Sequence, residues 1–480
     1  MRGTLALGRT QKQPNGPRIV GTTATLVADP HAELEGRTGG TRPVPIAVVG
    51  LVALLLLSTA VLMAARSLAL SGDGSFYLVR LLGTEDVVGP DARVLANAVR
   101  QAPVLAALRL GLTDTYLLSL LLGVGQLVVP AAIWGAALLL TRARPLAFSA
   151  VAMTAGLCAG TTWFFSVGEN VIAVPVTVLV GTLLWLPREW RWRHVALATP
   201  ASAVLIASYE TAAVTGAFLA AWASWRALRS HVMPDRWGSL IVMVMSSWSV
   251  VAAVAGIAAR RDESNAESLV YSVVSGDPWQ LYLGLASIAL LLCALTIHVH
   301  GRLRGLLLAP GLLCAVTAIT TLQPTPGAAF AARGGAVVAA FLLLWYLLVD
   351  WARARGPRAA NGGSHHAEPN ESHRLLAVPV AFVAALAVSC MHGLDRWSQG
   401  LESFRAGVEA ADGVVDVDSA LPPEGRQAVW GWTSSSLSLV LRSNAGAGVL
   451  VDASPRYVPF PPQAARLQVD DRFAWRRTAP

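Results

Sequence analysis

Lysine is almost missing from this sequence: Lys12 is the only one in 480 residues. Charge of either sign is scarce, at 14% of residues against 54% hydrophobic, with a mean hydropathy of +0.53. That balance excludes a soluble protein of this length and points to a polytopic membrane protein. The four cysteines, Cys158, Cys293, Cys314 and Cys390, lie in or at the end of apolar stretches and form no CxxC pair, which argues for reduced packing residues and against a disulfide framework or a zinc site. The histidine pairs in "IHVH" and "SHH" lack carboxylate partners at ligand spacing, so no metal site is assigned. No internal repeat is present. Residues 1–43 have neither an apolar core nor a small-residue cleavage signature, and are read as a disordered cytoplasmic tail without a removable signal peptide.

What is present is a series of apolar runs close to the ~20 residues that a membrane helix needs. They fall at about 44–68, 115–140, 146–165, 170–187, 195–208, 211–228, 238–259, 279–299, 305–321, 335–351 and 375–391, which gives about eleven spans; the short 195–208 run could instead pair with 211–228 as a hairpin. With the N-terminus inside, the loops "TRARP", "PREWRWRH", "WRALRSHVMPDR", "GRLRG" and the 352–374 stretch are all cytoplasmic and basic. The intervening turns "SVGEN" and "SYE" carry no arginine, as the positive-inside rule requires. Trp163, Trp185, Trp190, Trp192, Trp225, Trp237, Trp279 and Trp351 fall near span ends, where an aromatic belt is expected. The +8 net charge therefore reports topology more than nucleic-acid binding.

This topology leaves two regions outside the membrane on the far side. In the loop 71–113, "DARVLANAVRQ" puts Arg93, Asn97 and Arg100 on one helical face, suiting an amphipathic helix that lies in the interface, with Pro103 permitting a break before a second short helix. The tail 392–480 alternates helix-like and strand-like segments and is read as a small α/β extracytoplasmic domain. The transmembrane unit is thus 44–391.

The middles of the spans hold almost no ionisable residue, which counts against an ion- or proton-coupled carrier, though not against a channel or a flippase. Gln126, the most polar residue within a span, is read as a helix-packing group. Acids collect instead at the outer side: Asp73, Glu85 and Asp86 after the first run, Glu169 between the third and fourth, and Glu210 in "ASYETA" beside Tyr209. Arg80, Arg100, Arg260, Arg261, Arg333 and His392 share that side. Carboxylates and cations at lipid level suit group transfer from a lipid-linked donor. A carboxylate takes the proton from an attacking hydroxyl, and arginines hold a phosphate in forked hydrogen bonds.

An N-terminus inside, a long first outer loop opening on an acid in "SGDGSFYLVR", helices within that loop and a soluble C-terminal part outside resemble the GT-C superfamily of integral membrane glycosyltransferases. The resemblance covers about residues 44–480 as an arrangement. It implies a polyprenyl-phosphate-linked sugar as donor, Asp73 as the catalytic base, and Glu169 or Glu210 orienting the acceptor or helping to hold a divalent cation, with the cofactor itself unassigned. Arg80, Arg100, Arg260, Arg261, Arg333, His392 and Tyr209 are the substrate-binding candidates. Nothing like the WWDYG motif of oligosaccharyltransferases occurs in the tail, where "VWGWTSSSLSLVLR" is the nearest stretch, so the acceptor, whether glycan, lipid or protein, stays open. The alternative is a non-catalytic lipid or polysaccharide transporter, or a scaffold for envelope assembly. In every case the expected location is the cell membrane, with membrane lipids as partners and no nucleic acid.

Overall fold

The computed structural model describes residues 43–89, 93–165, 170–186, 189–208, 212–259, 326–354, 369–422, 425–426, 433–444, 447–451 and 472–476. The expected runs at 279–299 and 305–321 lie outside these. The first helix, α1 (Ile46–Ala65), is uncharged over its length. One face buries Val49, Val52, Leu56, Ala60 and Met63, while Leu51, Leu54, Leu57, Val61 and Leu62 are exposed. A helix apolar on all sides yet only half covered by protein has its other half matched to lipid. Among the described residues five helices are long and apolar enough to cross a membrane, including α1 and the continuous stretch Thr115–Thr141, as expected of an all-α membrane protein.

A 3-10 turn (Leu68–Leu70) leads to α2 (Gly74–Thr84), and α3 (Val94–Arg109) follows. The stretch Thr115–Thr141 comprises α4 (Thr115–Gly123), one π-helical segment (Val124–Val128) and α5 (Val129–Thr141). Then come α6 (Pro145–Phe165), α7 (Asn170–Trp185), α8 (Trp192–Ile206), α9 (Ala212–Arg229), α10 (Met233–Ala259) and α11 (Pro326–Ala354). Helix α12 (Pro369–Ala410) is one helix of 42 residues, so the boundary expected at 391/392 falls inside it. Beyond it, β1 (Val414–Asp416), α13 (Val417–Ala420), α14 (Ser434–Leu441) and β2 (Val449–Val451) combine short helices with a two-stranded parallel sheet in which Val415 pairs Leu450. Helix α14 packs on α2, α4 and α12.

Contacts between helix ends sort into two sets. At the basic-loop end, the Val44 amide donates to the Arg142 carbonyl (2.8 Å). The Asp350 carboxylate accepts from Arg144 (2.7 Å) and from the Trp185 indole (2.8 Å). Arg226, part of the basic loop "WRALRSHVMPDR" in the sequence reading, is instead buried in α9. It donates to Asp235 (2.8 Å) and to the Leu184 and Leu186 carbonyls (2.6 and 2.8 Å). Those carbonyls end α7 and have no partner further along the helix, so the guanidinium caps α7 while Asp235 balances its charge. At the other end, Leu95 and Ala96 donate to the Ala207 carbonyl, Arg66 lies beside Asp395 and Ser398, and Thr115 donates to the Val440 carbonyl (2.7 Å).

Three sequence expectations change here. Trp185, Trp190 and Trp351 are buried, not in a belt, whereas Trp192 and Trp237 are exposed. Trp351 stacks edge-on against Trp222 and Trp225, and the Trp190 indole donates to the Leu183 carbonyl (2.9 Å); an indole with an internal acceptor gains nothing from the headgroup region. Helix α3 runs through Pro103 without a break. Its Asn97, Arg100 and Gln101 point inward and are at most 1% exposed, so the polar stripe does not face the interface.

Replacing Asp235 with alanine leaves the Arg226 guanidinium buried without its counter-charge. The expected loss is about 3–5 kcal/mol of stability, read by unfolding in detergent against an exposed control such as Asp418→Ala.

Candidate functional site

The site begins at the turn that joins α1 to α2. Ser67 and Gly72 take left-handed backbone angles (φ 56° and 53°), which turn the chain back onto itself. Gly74 then lies so close to the Ala69 carbonyl that a Cβ would sit 1.6 Å from its oxygen, so no other residue fits. Asp73, the residue before α2, is half-buried, and its carbonyl accepts from the Tyr77 amide (2.9 Å). One turn further on, the ring of Tyr77 is buried against α3. Residues four apart share a helix face, so Asp73 and Tyr77 belong to the same side of α2.

Over that ring lies Arg100, its guanidinium carbon 4.5 Å from the ring centroid. Arg100 is 1% exposed, and its Nη2 donates to Asn97 Oδ1 (2.7 Å). Its Nε has no hydrogen-bond partner among the described residues, and none of their ion pairs includes it. A cation over an aromatic face gains about 2 kcal/mol when desolvated. Taking a guanidinium out of water costs several kcal/mol unless an anion meets it, so the stack and one amide oxygen leave most of that cost uncovered. The arrangement is suited to an anion.

Close packing holds the cluster in place. Gly125, in the π-helical segment, lies against the Arg100 carbonyl, where a Cβ would stand 1.8 Å from the oxygen. Single π-helical turns within α-helices often occur at functional sites; here the turn brings the α4–α5 stretch directly onto α3, and it also carries the buried Gln126. Gly89 (φ 151°) makes room for the Asn97 side chain. Gln101 accepts from the Val88 amide (2.8 Å) and donates to the Val88 carbonyl (2.7 Å), fixing the link from α2 to α3. The Ala207 carbonyl meets the first amides of α3.

Of the sequence candidates, Asp73 and Arg100 come from the two helices that meet at Tyr77. Arg80 is exposed on α2, 5.9 Å from the Phe76 ring, and so is not part of the buried cluster. Glu169, Tyr209, Glu210, Arg260 and Arg261 lie outside the described residues. Arg333 and His392 fall within α11 and α12, but their side chains are likewise outside the description. Glu85, one of the outer-side acids, is engaged by Arg472 (2.7 Å), and Asp86 accepts from the next backbone amide, that of Val87 (2.7 Å). Among the described residues no three His, Cys, Asp or Glu side chains gather as a metal site would require. Tyr77 is absent from the sequence candidates; its signal was the four-residue step from Asp73. No family model, curated protein or solved structure matches the chain.

Gly125→Val forces a side chain into the Arg100 backbone. It is expected to cost about 3 kcal/mol by overpacking, read as a drop in the midpoint of unfolding, whereas Gly135→Val, near only the Ala53 methyl, is expected to change it by much less.

Proposed function

We propose that the chain is a multi-pass membrane glycosyltransferase of GT-C type that moves a sugar from a polyprenyl-phosphate donor to an extracytoplasmic glycan, lipid or protein acceptor. In this reading about eleven helices span the cell membrane, the N-terminus is cytoplasmic, the 392–480 part is outside, and membrane lipids cover the exposed half of α1. The observation that carries the reading is the buried Arg100 guanidinium, stacked on Tyr77 and bonded to Asn97, on the helix packed beside the one that begins at Asp73. An apolar exterior around such a cation suits a substrate that is both lipid and phosphate. A headgroup-level anion site serves a donor whose tail stays in the bilayer.

The chemistry follows from the residue types. The acceptor hydroxyl attacks the anomeric carbon, its proton passes to the Asp73 carboxylate, and the bond from that carbon to the phosphate oxygen breaks. The phosphate leaves with the electron pair, and Arg100 stabilises the added charge through its N–H donors. Glu169 or Glu210 orients the acceptor or helps hold a cation. Arg80, Tyr209, Arg260, Arg261, Arg333 and His392 complete the proposed substrate contacts.

Purified protein in nanodiscs, given polyprenyl-phosphate sugars, tests this directly. Asp73→Asn is expected to lower kcat by about 10²–10⁴ with donor binding retained, as loss of a general base does, and unchanged turnover removes Asp73 from the reaction. Arg100→Met, which keeps the side-chain volume, is expected to lower kcat/KM for donor by about tenfold or more, with kcat lowered as well as KM raised. Absence of transfer from every lipid-linked sugar with the unsubstituted protein overturns the proposal.

A further inference from the structure

Residues 472–476 form a short strap that touches three separate parts of the fold. Arg472 Nη2 donates to Glu85 Oε1 (2.7 Å), and Glu85 is the residue that ends α2. Ala474 bonds the link between α3 and α4 in both directions: its carbonyl accepts from the Thr115 amide (3.0 Å) and its amide donates to the Thr113 carbonyl (3.3 Å). The Trp475 amide donates to the carbonyl of Arg442, the residue that ends α14 (3.1 Å), and the Arg476 amide donates to Asp114 Oδ1 (3.3 Å). Two aromatic side chains fix it. Phe473 is 2% exposed and Trp475 5%, the latter edge-on to Tyr116 at 5.2 Å.

The three attachments have one thing in common. Helix α2 carries Tyr77, α3 carries Asn97 and Arg100, and α14 packs on α2 from outside. A chain segment bonded to the end of α2, to the link that follows α3 and opens α4, and to the end of α14 limits how far these parts can separate. We infer that the 472–476 strap is a positioning element that sets the spacing of α2 and α3, with Trp475 and Arg472 as its positioning residues. This rests on the reading of the Tyr77–Arg100 cluster as the binding site. Its physical content is a rule of division: Trp475, buried and packed on Tyr116, carries most of the hold, while the Arg472–Glu85 pair, about half exposed on each side, carries little.

A buried cysteine probe separates this from a general loss of stability. Ser75 in α2 is 0% exposed, and Ser75→Cys is nearly isosteric; Ala137 in α5, also 0% exposed, lies toward the opposite end of the bundle and supplies the control Ala137→Cys. Each probe is placed in the full chain in nanodiscs and labelled with a water-soluble maleimide, with the chain lacking either probe as background. Trp475→Ala is expected to raise the labelling rate at Ser75→Cys by about tenfold or more, as removal of a buried aromatic allows, with Ala137→Cys unchanged. Arg472→Glu is expected to raise it by about threefold, and pairing it with Glu85→Arg to reverse the rise. Unchanged labelling at Ser75→Cys in both variants overturns the inference, and so does a parallel rise at Ala137→Cys, which would make the strap a contributor to global stability only. Neither outcome depends on sugar transfer, so the two proposals fail separately.

Discussion

A guanidinium held out of water is the constraint around which this fold is arranged. Arg100 sits between α2, α3 and the π-helical turn with one amide oxygen, an aromatic face and, among the described residues, no carboxylate. Keeping it there needs close backbone approach on two sides, and the glycines at 89 and 125 supply it. It also needs the α2–α3 link fixed, and Gln101 does this with both ends of its amide. In the proposed function an anion meets this cation and offsets the cost of its burial.

The opposite end of the bundle solves a similar problem in another way. Arg226 is as deeply buried as Arg100, but Asp235 and two carbonyls at the end of α7 satisfy it. Arg144 and Trp185 share Asp350 in the same manner. Those charges are structural and fully partnered, and they lock helix ends together where the basic loops lie. The two ends therefore differ, with a neutralised arginine at one and a sparsely neutralised arginine at the other.

Much of the helical layout was legible in the sequence because length and apolar content decide it: the runs at 146–165, 170–187 and 335–351 each lie within or beside one helix. Continuity was harder to read. Pro103 looks like a break but lies inside α3, where the helix keeps its course at the loss of one hydrogen bond, and the 391/392 junction lies within the single helix α12. The direction of the α3 polar stripe differs for a related reason: periodicity puts Arg93, Asn97 and Arg100 on one face, while only the partner elements decide that Asn97 and Arg100 are buried. The tryptophans follow the same logic, because neighbouring elements and not distance from a span end decide whether an indole is covered: Trp185 and Trp190 meet internal acceptors, and Trp351 is covered by Trp222 and Trp225. Asp73 and Arg100 stand out in the sequence by charge and position, whereas Tyr77 offers only its four-residue step from Asp73 and is set against Arg100 by packing.

The central claim is that Arg100 is held for an anionic lipid ligand, and equilibrium binding tests it without assuming a reaction. Nanodisc-embedded protein and its Arg100→Met variant would be titrated with a polyprenyl phosphate and, in parallel, with the uncharged polyprenol. The account predicts that the phosphate binds the unsubstituted protein more tightly than the alcohol does, and that Arg100→Met abolishes this preference while remaining folded. Equal binding of the two lipids by the unsubstituted protein, or a phosphate preference that survives in Arg100→Met, would contradict it.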